Sequence, residues 1–360
     1  MILKKYQSYL TSIFLKQFAI ICFVFFCLVI IINFFEEVRF SEKYSVDLFY
    51  AIYLSFLNAP SLIFEMFPFI FLITVKVFYL KLNDRNELDI LNSNGISKIR
   101  VIFLLIITSI FLGLFILLFY YSFSSSLKSK YLDIKNRFSN TNEYLAVVKD
   151  DGLWIKEEIE DNIFFIHAER FDANILKELT ITEIDKYYNS KNTITADKAN
   201  IVSKNWYLEN VSLIDKNGNK EDYKSLVHNS SFDGEIISNL FSNLNALNIY
   251  ELHNLSKSYL KIGYSNIDIK IHLNKIYSMP FFYILMTVLG FVIINKLKNF
   301  KSRFFIIIFG IFVSVLVYYL NYFSGILGNS GILPIYLSVW APLIILFLVC
   351  NIGVIRVNEN

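Results

Sequence analysis

Two charges stand inside an otherwise apolar stretch, Leu48–Leu80: Glu65 and Lys76. A charge in such a setting is costly and marks a function unless its side chain reaches an interface. Glu65, just before Met66-Phe67-Pro68, either faces a cavity or a partner helix, or lies near the interface. Lys76 stands near the end of the stretch, where its long stem lets the ammonium snorkel outward. Neither has an opposite charge at matching depth, so no ion or proton relay is read. The four histidines, His167, His228, His253 and His272, are scattered without a His-Glu-x-x-His pair, and surface or sheet positions are expected. Cys22, Cys27 and Cys350 lie in apolar runs without CxxC spacing and read as buried small hydrophobes. Glu157, Glu158, Glu160 and Asp161 lack the spacing of a calcium loop and read as a solvated hairpin turn. There is no G-x-x-x-x-G-K-[ST] loop for a nucleotide and no G-x-S-x-G elbow. No catalytic residue, metal site or cofactor is expected.

Cations cluster elsewhere. Arg39 and Lys43 follow one apolar run; Lys128, Lys130, Lys135 and Arg137 follow another. At a membrane surface such groups hold phosphates through charge-assisted hydrogen bonds, or pair with flanking Glu36, Glu37 or Asp133. A third group of residues has helical form. Asp84 caps a short helix with Glu87 three residues on, as in a capping box. Leu88 and Leu91 share a face, Gly95 fits the helix end, and Ser97 caps the next helix.

The elements that must carry these residues are set by apolar mass. The chain is 360 residues long, 55% apolar and 18% charged, against about 25% charged in a soluble domain. Phe18–Phe35, Val101–Leu127 and Ile276–Asn295 carry no charge, and Phe304–Ile355 is uncharged for 52 residues. About 20 helical residues cross a bilayer core. The last run therefore breaks, at Ser324–Gly331, into spans near Phe304–Phe323 and Leu333–Ile355. Leu48–Leu80 would make a helix of about 50 Å. With Pro60 and Pro68 inside it, it reads as an interfacial helix before Asn58-Ala59-Pro60 and a span from Ser61 to Leu80. That makes six spans. No small-residue cleavage site follows the first, so it is read as retained. Lys4, Lys5 and Lys16 precede the first span, Lys76, Lys81, Arg85, Lys98 and Arg100 flank the loop between the second and third, and Lys296–Arg303 is basic, which places these loops and both termini in the cytoplasm.

Between the third and fourth spans the pattern changes to short strand signals: Tyr144–Lys149, Gly152–Lys156, Ile163–Phe171, Glu178–Asp185, Thr193–Val202 and Trp206–Ile214. Polar turns separate them, which suggests an antiparallel sandwich or jelly roll outside the cytoplasm. Ile236, Ile237, Leu240, Leu244 and Leu247 then follow helical spacing. The expected fold is a six-span α-helical transmembrane bundle with an inserted antiparallel β domain. Its parts are residues 1–127 with a loop at 83–100, the β domain at 128–275, and residues 276–360. A net charge of +3 without a basic tract leaves no nucleic-acid partner.

Four segments together resemble the LptF/LptG family of lipopolysaccharide-export permeases. They are Asn86–Ser97, Gly152-Leu153-Trp154-Ile155-Lys156, Trp206-Tyr207-Leu208-Glu209-Asn210-Val211, and Gly328–Pro334 with Trp340-Ala341-Pro342. Phe34–Arg39 and Phe64–Pro68 are more similar to LptG than to LptF. Asn92-Ser93-Asn94 departs from the family's alanine-rich stretch and lowers helix propensity there. The resemblance implies a permease subunit of an ABC transporter. It implies cytoplasmic ATPase subunits, a homologous second permease and a periplasmic jelly-roll bridge protein. Lipopolysaccharide would be extracted from a bacterial inner membrane. It also implies that Glu87, Leu88, Leu91 and Gly95 couple to the ATPase. Arg39, Lys43, Lys128 and Arg137 are then expected at the lipid head group. The alternative is the permease of another lipid or lipoprotein ABC exporter. Lipoprotein-release permeases place their large domain after the first span, whereas here it follows the third. An intramembrane enzyme should show convergent polar residues in its spans, and a receptor should carry a cytoplasmic output domain.

Overall fold

Hydrocarbon cannot hydrogen-bond a peptide group, so an apolar run that crosses it folds as a helix. A computed structural model describes residues 5–139, 153–159, 162–172, 174–185, 190–216, 218–230, 232–234, 237, 243–261, 265–296 and 303–359. Six of its helices are long and apolar enough to cross a membrane. They are α1 (Lys5–Tyr44), α2 (Leu48–Asp84), a third that begins as α4 (Lys98–Phe115), α7 (Ile267–Lys296), α8 (Arg303–Asn329) and α9 (Ile335–Glu359). A π turn at Ile116–Tyr120 joins α4 to α5 (Tyr121–Ser139), and the short α3 (Glu87–Ser93) lies between α2 and α4. Two units separate: residues 1–128 with 270–360, and residues 129–269.

Within the first unit, α2 and α7 are the most buried spans, with 67% and 83% of their apolar windows covered, against 17% for α1 and α8. They are therefore the centre of the bundle. Phe71 stacks on Tyr283 with ring centroids 5.0 Å apart, and Phe18 of α1 packs on Phe71 at the same distance. Gly290 lets α7 press against α2: a Cβ there would lie 2.9 Å from the Leu72 carbonyl oxygen. Small residues let membrane helices approach closely in this way.

The structure differs from the sequence reading in four places here. First, α2 runs unbroken through Pro60 and Pro68, so there is no separate interfacial helix. Each proline removes one helix hydrogen bond, but a break in the span would orphan several backbone groups in hydrocarbon. The Tyr120 hydroxyl, carried on the π turn, donates to the Pro60 carbonyl at 3.1 Å. Second, α8 continues through Gly325 and Gly328 to Asn329, and only Gly331, at φ +76°, serves the turn. Gly328 is a packing residue; a Cβ there would meet Ser338 Oγ of α9 at 2.4 Å. Third, Lys76 does not snorkel. It is fully buried and donates to the Ile306 carbonyl of α8 at 2.7 Å. Fourth, Glu65 has a cation for a neighbour: it lines a cavity of about 20 Å³ with Lys275, Asn321, Tyr318 and Tyr322.

The second unit holds one antiparallel sheet of six strands in chain order: β1 (Leu153–Ile159), β2 (Asn162–Asp172), β3 (Ile175–Asp185), β4 (Ser190–Asn200), β5 (Asn205–Ile214) and β6 (Lys220–Asn229). The described strands form a meander, and jelly-roll cross-connections are not found among them. The Tyr144–Lys149 strand signal, Ile236 and Leu240 lie outside the described residues. Farther along stand a 3₁₀ turn at Leu244–Ala246 and helix α6 (Ile249–Lys261). Leu153, Ile155, Ile166, Leu179, Ile181, Trp206 and Leu208 make the buried face. Glu178 and Asn210 take φ of +52° and +51°. The register is kept across both positions, and it shifts instead between Glu183 and Ile184, from Glu183↔Asn192 to Ile184↔Ser190. Such an irregularity bends a sheet.

The sheet curls until the end of β6 meets β1 and β2. Ser230 Oγ donates to Glu157 Oε2 at 3.0 Å, and the His228 ring lies 5.3 Å from Phe164. Glu157 is therefore buried, not part of a solvated turn. His228 is buried beside it, and burial pushes its pKa below the usual range against the opposing pull of Glu157 and Glu183. A lowered pKa means the unfolded chain binds more protons near pH 6. His228 thus adds stability that is complete above the unfolded value of about 6.5 and is lost as pH falls from there through the lower folded value. The β domain should melt at a lower temperature at pH 5.5 than at pH 7.5. His228→Gln should remove part of that difference, as thermal unfolding monitored at both pH values will show.

Candidate functional site

The loop between α2 and α4 ends one long helix and starts another within 13 residues, 85–97. Asp84 does not cap it, because α2 runs through Asp84. Instead α3 starts at Glu87 behind Asn86, which takes φ +54° and makes no side-chain cap bond. Asparagine tolerates that left-handed backbone better than most residues. The other end follows the glycine rule. Gly95 takes φ +77°, its N–H bonds Asn92 O at 3.0 Å, and Ile96 N–H bonds Leu91 O at 2.9 Å. This pair of bonds is a Schellman motif. Arg100 Nη1 donates to Gly95 O at 3.1 Å, which fastens the turn to α4. Ser97 stands at the cap position of α4 but makes no side-chain cap bond.

Glu87 is held by its own chain. The Tyr9 hydroxyl of α1 donates to Glu87 Oε1 at 3.0 Å, and Arg85 Nη1 stands 3.6 Å from the same oxygen. Leu88 and Leu91 are half-buried, while Asp89, Asn92 and Ser93 are exposed and Ile90 is 58% exposed. The outward face of α3 is thus an isoleucine flanked by polar residues. Sequence reasoning missed Tyr9, Arg85 and Ile90. Tyr9 is 78 positions from Glu87 and gave no signal, but Ile90 was visible as the one large apolar residue on the face opposite the two leucines.

The predicted cation group divides. Arg39 and Lys43 stand one turn apart on α1, both exposed, with Lys43 Nζ 5.0 Å from the Tyr44 ring centre. Lys128 is turned into the bundle: its Nζ donates to Asn58 Oδ1 at 2.7 Å. Asn58 Nδ2 in turn donates to Asn33 Oδ1 at 3.0 Å, and Asn33 Nδ2 to Ser55 O at 3.4 Å. This polar chain joins α1, α2 and the third span, which explains why Asn33 and Asn58 are tolerated while almost fully buried. Arg137 is exposed on α5, in the part assigned to the second unit. Lys135, near it, is buried and donates to the Tyr131 hydroxyl at 2.7 Å. Arg39 and Lys43 are therefore the pair that the structure brings together. Among the described residues no group of three or more His, Cys, Asp or Glu could hold a metal ion.

A family model described as lipopolysaccharide export system permease LptF/LptG matches residues 8–356. No curated protein matches the chain.

Proposed function

The chain belongs to the LptF/LptG family of lipopolysaccharide export permeases, a multi-pass inner-membrane transporter family, and from that premise we propose how it works. It is the permease subunit of an ABC transporter. ATP is hydrolysed on separate cytoplasmic ATPase subunits that dock on loop 83–100. A homologous second permease completes the cavity. Lipopolysaccharide enters from the outer leaflet with its phosphates near Arg39 and Lys43, and leaves through the β domain toward a periplasmic jelly-roll bridge protein.

The observation that carries this reading is α3. Seven residues are too few to hold a helix by themselves in water. Here the helix is fastened at both ends, by Tyr9 and Arg85 on Glu87 and by the Gly95 turn, and so it presents Ile90 and Asp89 outward as a preformed contact. A cytoplasmic element must be stiff to pass on the movement of an ATPase. Leu88, Leu91 and Gly95 serve this site by seating the helix, and Glu87 by orienting it.

Basic loops set the orientation: Lys81, Arg85, Lys98 and Arg100 flank α3. Single cysteines at Asn92 and Lys216, both exposed, test it with a membrane-impermeant thiol reagent in cells whose outer membrane has been made leaky. Position 216 should label and position 92 should not. Labelling at 92 alone would reverse the topology and remove the ATPase from α3.

A further inference from the structure

Lys76 carries a charge that packing does not require. It lies in α2 eight residues before Asp84, the end of that helix, and is fully buried. Its Nζ donates to Ile306 O in the first turn of α8, at 2.7 Å. The slot it fills is made by a glycine: a Cβ on Gly310 would lie 1.6 Å from Nζ and 2.4 Å from Cε. A methionine has nearly the same length and would fill that slot without a buried ammonium, which is expensive within a span. What lysine adds is a directional bond to a carbonyl on another helix. In hydrocarbon no water competes for that bond.

The position of the bond gives it a use. Among the described residues α8 packs chiefly against α2 and against its own hairpin partner α9. Apart from Lys76, the side-chain contact with α2 includes the Phe69–Tyr318 ring pair, centroids 5.6 Å apart. At its other end α2 passes into α3 through Arg85 and Asn86 alone. A displacement of α3 therefore moves the end of α2, and Lys76 grips α8 eight residues before that end. We infer that Lys76 is a positioning residue that transmits movement of the ATPase-facing loop from α2 to α8, with Gly310 as its receptor. This rests on the reading of loop 83–100 as the ATPase contact.

The test uses the complete transporter in proteoliposomes, with ATP hydrolysis and lipopolysaccharide release measured side by side for K76M, G310A and the double variant. K76M keeps the volume and removes the bond; G310A keeps the charge and expels it from its slot. Each should keep its ATPase subunits and hydrolyse ATP. Each should release about tenfold less lipid per ATP, a common size for a coupling effect. The double variant should be no worse than either single one, because both remove the same contact. Release by K76M at the unsubstituted level overturns the inference, and so do additive losses in the double variant. Loss of the ATPase from the K76M complex overturns it too, since Lys76 would then be holding the loop rather than transmitting its movement. If K76M does not accumulate in the membrane, G310A decides alone. Absence of both shows a contact needed for folding, which also overturns the inference. Failure of the loop reading itself would appear elsewhere, as normal ATPase binding by variants of α3.

Discussion

Replacing Ile90 with aspartate should leave the permease in the membrane at normal level and strip the ATPase from it. Ile90 is the large apolar side chain that α3 turns outward. An apolar anchor seated in a partner's groove is the kind of residue whose loss costs about 2 kcal/mol or more. That corresponds to about 30-fold in affinity, and a carboxylate buried in its place adds a desolvation penalty. Leu91→Asp should act in the same direction by unseating the helix, and Glu87→Ala more weakly by freeing it from Tyr9 and Arg85. Tandem purification in detergent, with the ATPase quantified per permease, checks all three. Normal recovery of the ATPase with Ile90→Asp and Leu91→Asp would make the loop a connector.

Arg39→Ala should lower capture of lipopolysaccharide about tenfold, because a charge-assisted hydrogen bond to a phosphate contributes about 1.5–3 kcal/mol and part of that is lost to solvent at an exposed site. The double change Arg39→Ala with Lys43→Ala should lower it further, since the two groups stand one turn apart on α1. Arg39→Lys should recover only part of the loss, as an ammonium cannot make the bidentate contact of a guanidinium. A photoreactive residue at position 39 should form an adduct with the lipid in cells. No adduct there, together with full transport by Arg39→Ala, would move the head-group site elsewhere. Lys128→Ala should behave differently. Its ammonium is bonded to Asn58, so its loss should lower the melting temperature of the bundle.

The spans were legible because an uncharged run of about 20 residues has few other fates. Five of the strands were legible from alternation and polar turns. What the sequence concealed has physical causes. Pro60 and Pro68 look like breaks because a proline costs a soluble helix its hydrogen bond, while hydrocarbon makes the alternative worse. Strand β6, Lys-Glu-Asp-Tyr-Lys-Ser-Leu-Val-His-Asn, escaped because it is an edge strand, exposed along most of its length. Charged residues on an edge guard it from pairing with other chains and also erase the alternation that reveals a strand. Lys76 was read as snorkelling because its acceptor is a backbone carbonyl 230 residues away, and no side-chain pattern marks a carbonyl. The α3 site was half legible. Gly95 and the two leucines showed a short helix with a defined end, but which face looked outward depended on Tyr9 and Arg85, which fix the helix by tertiary contact.

The most direct test is where lipopolysaccharide accumulates when this chain is depleted. Cells that make the protein under a repressible promoter would be pulse-labelled, their inner and outer membranes separated, and labelled lipopolysaccharide measured in each as the chain disappears. Newly made lipopolysaccharide should build up in the inner membrane and fail to reach the outer one, and re-expression of the intact chain should release it. Unchanged delivery to the outer membrane after full depletion would contradict a role for this chain in lipopolysaccharide export.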